Sequence, residues 1–247
     1  MVESKISTII SNIIKRKVIE MTTLTEIKIR SQKHQLFVLG VLCILLVPLC
    51  LLFGLFGLDT NPEGWYQSIS RTYHANCKPL MIGELSSIGV YFLTYQGYDW
   101  RDRILSLIQG VSSYGIVLFP CKLPNSTLPI GMFNLNPNLS QKLHVTATAV
   151  LFITFFISLE FLFTRSSGII TEKKKLRNKI YHICGGIILI GMILTCLDSL
   201  YFDRYIPNWF PITIVLEFIM LVPFGFAYMV KSECFKFLND DYREKNL

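Results

Sequence analysis

Gln35 to Leu58, QLFVLGVLCILLVPLCLLFGLFGL, decides the fold, because its 24 residues include no charged side chain. About 20 mostly apolar residues are enough for an α-helix to cross the roughly 30 Å of hydrocarbon in a bilayer. Backbone groups in lipid must form hydrogen bonds within the protein, which favours helices. Five further stretches are predominantly apolar and about as long: Pro79 to Tyr98, Ile104 to Cys121, Leu143 to Thr164, Ile180 to Phe202 and Trp209 to Val230. The sequence therefore predicts an all-α, polytopic bundle of six transmembrane helices.

The composition excludes a soluble globular domain. Of the 247 residues, 51% are hydrophobic and only 17% are charged, whereas soluble domains carry about 25% charged residues. Six spans of this length leave only short connections, so the chain has no room for a second folded domain.

The positions of the basic residues predict the orientation. Six crossings place nineteen of the 24 Lys and Arg residues on one side of the membrane and five on the other. Basic residues are retained on the cytoplasmic side, so both termini are predicted to be cytoplasmic. The net charge of +7 is then a result of topology. A nucleic-acid partner is not expected, because the basic residues are divided among four separate segments.

Three regions follow along the chain. Residues 1–34 form a cytoplasmic arm, residues 35–230 the transmembrane domain, and residues 231–247 a cytoplasmic tail. In the arm, apolar residues from Ile6 to Val18 recur every three or four positions, and Lys15, Arg16 and Lys17 supply positive charge near the end of this stretch, which predicts an amphipathic helix. Such a helix can lie along the anionic inner leaflet or pack on the bundle.

Ionisable residues within or beside the spans are the candidate ligand-binding residues, because an unpaired charge in lipid is costly. By position along their helices, five of them belong to the outer half of the membrane: His74, Glu84, His144, Asp198 and Glu217. In one interpretation they line a polar pocket for a small cation, a proton or a lipid-like ligand. In the other they are structural, each acid being buried between helices and bonded to Ser86, Ser87, Tyr91 or Tyr114.

A metal site is a further alternative for the same residues. His74, His144 and Asp198 could hold a metal whose bound water attacks a lipid amide or ester. The chain has only four histidines, and no two of them have metal-ligand spacing on one helix face. No soluble-enzyme motif is present either. We therefore predict no cofactor, and the residues favour a protein without enzymatic activity.

Two of the seven cysteines stand out. Cys77 and Cys121 are both predicted at the outer membrane surface, at the ends of neighbouring helices. They could form a disulfide in an oxidising compartment if their Cα atoms lie within about 7 Å of each other. Two free thiols are the alternative.

The chain resembles a family of uncharacterised bacterial multispan membrane proteins over residues 36 to about 230. The resemblance rests on six stretches: Ile69–His74, Gly83–Tyr98, Leu118–Cys121, Leu143–His144, Phe161–Arg165 and Arg177–Gly185. It implies a bacterial cytoplasmic (inner) membrane protein and supplies no activity.

A more distant similarity is to the seven-helix membrane hydrolases that include alkaline ceramidases and progestin-type receptors. Those proteins hold zinc with a Ser, an Asp and three His, and two of the His lie in the last helix. The sixth predicted helix here has no histidine, and only Ser86, His74, His144 and Asp198 remain for a reduced site.

The sequence thus predicts a multi-pass protein that binds or transports a small cation, proton or lipid-like ligand at an outward-facing site. The alternatives are a metal-dependent hydrolase and a membrane scaffold that binds a partner protein through the loop from Arg165 to Lys179.

Overall fold

The structure is a computed structural model. It describes residues 2–57, 60–97, 99–124, 126–166, 168, 170–200 and 211–240, and the side chains of residues 20–199 and 211–240 within those ranges. The described residues form α-helices and short 3₁₀ and π turns, with no β-strand. The all-α prediction is therefore confirmed. The α-helices are α1 (Val2–Gly54), α2 (Lys78–Thr94), α3 (Trp100–Leu118), α4 (Pro137–Ile157), α5 (Glu172–Leu200) and α6 (Ile212–Lys231).

Four of these segments are long and apolar enough to cross a membrane. They are Glu20–Gly57, Pro137–Leu162, Glu172–Ser199 and Ile212–Lys231. α2 and α3 do not reach that standard, because α2 has 17 residues and α3 carries Arg101, Asp102 and Arg103 in its first turn. The chain has the helices of a membrane-embedded protein, and the prediction of six helices agrees with the six α-helices described.

The helices form a closed ring in chain order. Each helix packs against its neighbours in the sequence, and α6 packs against α1 to complete the ring. We call the end of the ring that holds residues 65–77 and 119–136 the upper end, and the opposite end the lower end. The upper end is the one that the distribution of basic residues assigns to the outside.

Local sequence explains where several helices begin. The Asp99 carboxylate accepts a hydrogen bond from the backbone N–H of Asp102 at 2.9 Å and so caps α3. The Asn136 side chain caps α4 in the same way, accepting from the N–H of Asn138, and Pro137 occupies the first turn. Proline is well tolerated there, since the N–H that it lacks has no partner within the helix.

The first helix is much longer than the predicted span. α1 is continuous from Val2 to Gly54, so the N-terminal arm and the first apolar segment form one helix. The side chains of residues 2–19 lie outside the described part of the chain. The arrangement of the arm on the leaflet or on the bundle therefore stays a prediction.

Aromatic side chains fill the middle of the ring. Phe92, Phe155 and Phe224 come from α2, α4 and α6, and each is at most 1% exposed. The rings of Phe155 and Phe224 are stacked with their centroids 3.5 Å apart. Tyr228 continues this cluster towards the lower end. The packed rings separate the polar groups of the upper end from those of the lower end.

Candidate functional site

The polar groups of the upper end are brought together by residues 65–77, which we call the upper segment. This segment contains two short 3₁₀-helices, Trp65–Gln67 and Ser70–His74. Thr72 holds the second one together, because its fully buried hydroxyl donates to the carbonyl oxygen of Ile69 at 2.5 Å. The segment lies over the upper ends of α4 and α6 and contacts both through side-chain hydrogen bonds.

A direct side-chain hydrogen bond joins Ser70 of the upper segment to His144 of α4. The Ser70 Oγ lies 2.7 Å from the His144 Nε2, and the His144 Nδ1 lies 2.8 Å from the carbonyl oxygen of Phe119. A carbonyl oxygen can only accept, so Nδ1 carries the proton and donates to Phe119. In a neutral ring Nε2 is then an acceptor, and the Ser70 hydroxyl donates to it. His144 is 3% exposed, while Ser70 is half-buried.

Glu217 reaches the same segment from α6. Its Oε2 accepts a hydrogen bond from the backbone N–H of Ile69 at 2.7 Å, and the residue is 8% exposed. Arg71 lies near enough to act electrostatically on Glu217 and on Cys121. A buried carboxylate with a backbone donor and a nearby guanidinium has part of its desolvation cost offset.

His74 closes the cluster on the side of α3. Its Nε2 donates to the carbonyl oxygen of Cys121 at 2.7 Å, and the ring lies close enough to His144 for the two to interact electrostatically when both are protonated. Burial lowers the pKa of His74 below the ordinary 6.5, and the positive charge of Lys78 acts in the same direction. The imidazole is therefore held in its neutral form.

The structure brings together three of the five predicted residues and leaves two apart. His74, His144 and Glu217 all bond to the upper segment or to residues 119–121. Glu84 is buried in α2, its Oε2 has no hydrogen-bond partner in the described part of the chain, and its charge acts on Cys43 and Cys50 of α1. Asp198 accepts only a long bond, 3.3 Å, from Thr213 among the described residues.

Two of the groups in the structural interpretation of the acids, Ser87 and Glu217, bond to backbone instead of to each other's helices. The Ser87 hydroxyl donates to the carbonyl of Gly83 in its own helix at 2.7 Å, and Glu217 bonds to the backbone of Ile69. Sequence patterns locate side chains on helix faces, but they do not show which backbone N–H of an irregular segment will face a helix. The carboxylate of Glu217 therefore has a partner that periodicity could not identify.

Neither the metal site nor the disulfide is formed in the structure. Among the described residues, no group of three or more His, Cys, Asp and Glu side chains is placed to hold a metal ion. Both ring nitrogens of His144 are engaged in hydrogen bonds, and Asp198 lies apart from the histidines. Cys77 and Cys121 are both buried free thiols, so the disulfide between them stays a prediction.

Ser70 is the residue of this cluster that the sequence analysis does not predict. The candidate residues are ionisable groups within or beside the spans, whereas Ser70 is an uncharged residue in a connecting segment. No spacing pattern connects Ser70 with His144, because the two residues lie 74 positions apart in the chain. An imidazole nitrogen that accepts a hydrogen bond from a hydroxyl can also take its proton. Glu217, the acid of this cluster, instead accepts from a backbone N–H.

Two open depressions on the described surface lie away from the upper segment. One of about 570 Å³ is lined by Ile170, Lys175, Asn178, Lys179, His182 and Ile183. Another of about 500 Å³ is lined by residues of α1 between Thr23 and His34. Both lie at the lower end, and neither includes a residue predicted for the ligand site.

A separate buried polar network joins α3 to α4. The Gln109 Nε2 donates to the carbonyl of Thr154 at 3.1 Å and to the hydroxyl of Ser158 at 2.8 Å. α3 therefore turns polar side chains inward, while Ile104, Ile108 and Val111 on its other face are 38–66% exposed. This inverted pattern lowers the hydropathy of α3 but leaves an apolar surface on its outside.

No family model, curated protein or solved structure matches this chain. Inferences about function therefore come from the contacts of the upper segment.

Proposed function

We propose that the chain is a six-span protein of a cytoplasmic membrane, with both termini in the cytoplasm, that binds a lipid-like ligand at its outer end. The observation that carries the proposal is the convergence of Ser70, His144 and Glu217. Ser70 of the upper segment bonds to His144 of α4, and Glu217 of α6 bonds to the backbone of the neighbouring Ile69. Ser70 is half-buried, whereas His144 and Glu217 are buried.

Contacts at both ends of α4 support six spans. α4 is one of the helices long and apolar enough to cross. At its upper end, residues 119–121 after α3 bond to His74 and His144. At its lower end, Arg165 forms a 2.7 Å ion pair with Asp99, in the connection between α2 and α3. α2 and α3 thus extend between the same two levels as α4, and 17 and 19 residues span about 26 and 28 Å.

The interior of the bundle favours a binding site over a transport pathway. Phe92, Phe155 and Phe224 pack between the upper cluster and the polar groups below it, and they leave almost no exposed surface. A transported ion would have to pass through these stacked rings. A site that is open only at the upper end does not require that passage.

The chemistry of the cluster favours a lipid-like ligand over a cation. Glu217 is already bonded to a backbone N–H, and the positive charge of Arg71 acts on it, which opposes the approach of a second cation. A polar headgroup can instead use both donors and acceptors. On the lipid-facing sides of the same helices, Leu143 and Val145 of α4 and Phe218 of α6 are 37–52% exposed, where acyl chains would lie.

The number of spans can be tested at Gln96, an exposed residue in the connection between α2 and α3. In a chain whose exposed Cys196 and Cys234 are replaced by Ser, Gln96→Cys should not react with an impermeant maleimide on intact cells. Met132→Cys, in the upper connection where Met132 is 76% exposed, is the matched control and should react. Labelling at position 96 on sealed cells would mean that α2 and α3 do not cross.

Ligand binding can be tested by extracting lipids from the purified protein. We expect a retained lipid in near-stoichiometric amount, and we expect the replacement His144→Phe to release it. The control is Glu84→Gln, a change at a buried acid outside the cluster, which should leave the lipid in place. The same lipid content in wild type and His144→Phe, with the fold of both intact, would reject the binding site.

A further inference from the structure

We propose that Ser70 is a nucleophile with His144 as its general base, so that the upper site hydrolyses an ester of its ligand. The nature of the substrate rests on the proposed binding of a lipid-like molecule; the assignment of the nucleophile rests on geometry alone. The Ser70 Oγ and the His144 Nε2 are 2.7 Å apart, within the 2.6–3.2 Å range of a nucleophile and its base.

The third group of the arrangement is the carbonyl of Phe119. It accepts from the His144 Nδ1 at 2.8 Å and so fixes both the orientation of the ring and the position of its proton. The unprotonated Nε2 is thereby aimed at the Ser70 hydroxyl. In a serine triad an aspartate has this orienting role, and here a neutral backbone oxygen replaces it.

The reaction needs no additional oxidant or cofactor. The Ser70 Oγ attacks the ester carbonyl carbon while His144 Nε2 takes the hydroxyl proton, and the C–O bond to the alcohol then breaks. His144 returns the proton to the departing alcohol, which leaves an acyl group on Ser70. Water then attacks this acyl carbon, and His144 takes its proton and gives it back to Ser70 as the carboxylic acid leaves.

The surroundings suit an ester held at the outer membrane surface. Ser70 is half-buried whereas His144 is almost completely buried, so the nucleophile is the member of the pair that faces outward. Arg71 follows Ser70, and its field reaches Glu217 and Cys121. The guanidinium itself bonds to the Gln67 side chain, so the upper segment carries a positive charge that would favour negative charge on the attacked carbonyl.

Ser140 shows how a purely structural serine differs in the same region. Its hydroxyl is completely buried and donates to the carbonyl of Pro120 at 2.7 Å. A carbonyl oxygen cannot take the proton, so this serine has no base. Ser140 is therefore the matched control for Ser70: both lie at the upper end, and only one faces an imidazole.

The test is reaction of the purified full-length protein, in lipid nanodiscs, with a fluorophosphonate probe, followed by mass spectrometry of the labelled peptide. We expect a single adduct on Ser70. The replacement Ser70→Ala should abolish labelling and Ser140→Ala should retain it. His144→Gln should slow labelling by about 100-fold or more, the usual effect of losing a general base.

Site mapping on the wild-type chain does not depend on the folding of any variant. An unlabelled Ser70 in folded wild-type protein would overturn the proposal, as would a labelling rate that is unchanged in folded His144→Gln. A Ser70 adduct in a protein that retains no lipid would support the nucleophile and reject the proposed ligand. The two proposals can therefore fail separately.

Hydrolysis itself can be followed with a fluorogenic long-chain ester in the same nanodiscs. We expect turnover by wild type and Ser140→Ala, and its loss in Ser70→Ala. Because His144 must be neutral to accept the proton, the rate should rise with pH to a plateau, and His144→Gln should remove this dependence. A purely structural hydrogen bond between Ser70 and His144 would give neither turnover nor this pH profile.

Discussion

Gly40 and Gly225 face each other where α1 crosses α6. A Cβ added to Gly40 would lie 2.5 Å from the carbonyl oxygen of Gly225, and a Cβ on Gly225 would lie 2.5 Å from that of Gly40. Only residues without a side chain allow two helix backbones to approach this closely. The contact closes the ring between the first and last helices.

Replacing Gly40 with alanine should therefore destabilise the protein. The new methyl group would meet backbone, which cannot move aside as a flexible side chain can, and overpacking of this kind costs about 1–3 kcal/mol. Gly83→Ala is the control, because Gly83 is exposed on α2 and has nothing within 4 Å of an added Cβ. Thermal unfolding in detergent should show a loss for Gly40→Ala and none for Gly83→Ala. If both replacements changed the melting temperature equally, the change would reflect helix propensity and not a clash at Gly40.

Gly83 and Gly110 show how far sequence patterns predict helix packing. Gly83 and Ser87 share small-residue spacing with Ser106 and Gly110, and this spacing predicts close packing of α2 on α3. On α3 the prediction is confirmed, because Ser106 donates to the Phe92 carbonyl at 2.6 Å and a Cβ on Gly110 would meet Leu93. On α2 it is wrong, since Gly83 faces outward. Spacing identifies a row of small residues on one face of a helix, but it does not show whether that face is directed at a neighbouring helix or at the outside of the bundle.

Replacing His74 with glutamine should change how stability depends on pH. Burial lowers the pKa of His74 below 6.5, so the unfolded chain binds a proton more readily than the folded one. The stability that His74 contributes is complete above about pH 6.5 and is lost as the pH falls through the lowered value. The melting temperature of wild type should fall more between pH 7.5 and 5.5 than that of His74→Gln. The difference between the two proteins reports on His74 together with its electrostatic effect on His144; parallel curves would contradict the prediction.

Two replacements of Asp99 should separate its two roles. One carboxylate oxygen caps α3 at the N–H of Asp102, and the other pairs with Arg165 at 2.7 Å. The cap, followed by Arg165, lowers the pKa of Asp99. Asp99→Asn keeps an acceptor for the cap and loses the ion pair, whereas Asp99→Ala loses both. Melting temperatures at pH 7 should fall in the order wild type, Asn, Ala, with the larger step between Asn and Ala. A larger fall in melting temperature between wild type and Asp99→Asn would show that the ion pair contributes more stability than the cap.

The candidate site was predictable in part, and the limit has a physical cause. His144 and Glu217 stand out because ionisable groups within a span need partners. Position along a helix gives their depth, which correctly placed both near the upper end. It does not give their direction around the ring, so Glu84, at a similar predicted depth, lies against α1 instead. Ser70 depends on how residues 65–77 fold over the bundle, and that folding follows from contacts between residues far apart in the chain.

The ion pair between Arg177 and Asp240 should hold the C-terminal segment to α5. Its nitrogen and oxygen lie 2.7 Å apart and both side chains are largely buried, at 14% and 11% exposure. Arg177 also donates to the carbonyl of Leu238, and Thr171 donates to Asp240. Removing one member of such a pair leaves a buried charge without its partner and costs on the order of 3 kcal/mol. We therefore expect Arg177→Ala to lower the melting temperature and to expose residues 232–240 to protease.

The control for this prediction is a more exposed pair at the same end of the bundle. Lys33 and Glu233 are 2.5 Å apart, but their side chains are 38% and 35% exposed. Exposed ion pairs contribute about 0–1 kcal/mol, because water screens the charges and ordering the side chains costs entropy. Glu233→Gln should accordingly leave both melting and proteolysis close to wild type. If Glu233→Gln released the tail as readily as Arg177→Ala, burial of the pair would not be what holds it, and attachment to α1 would be the stronger contact.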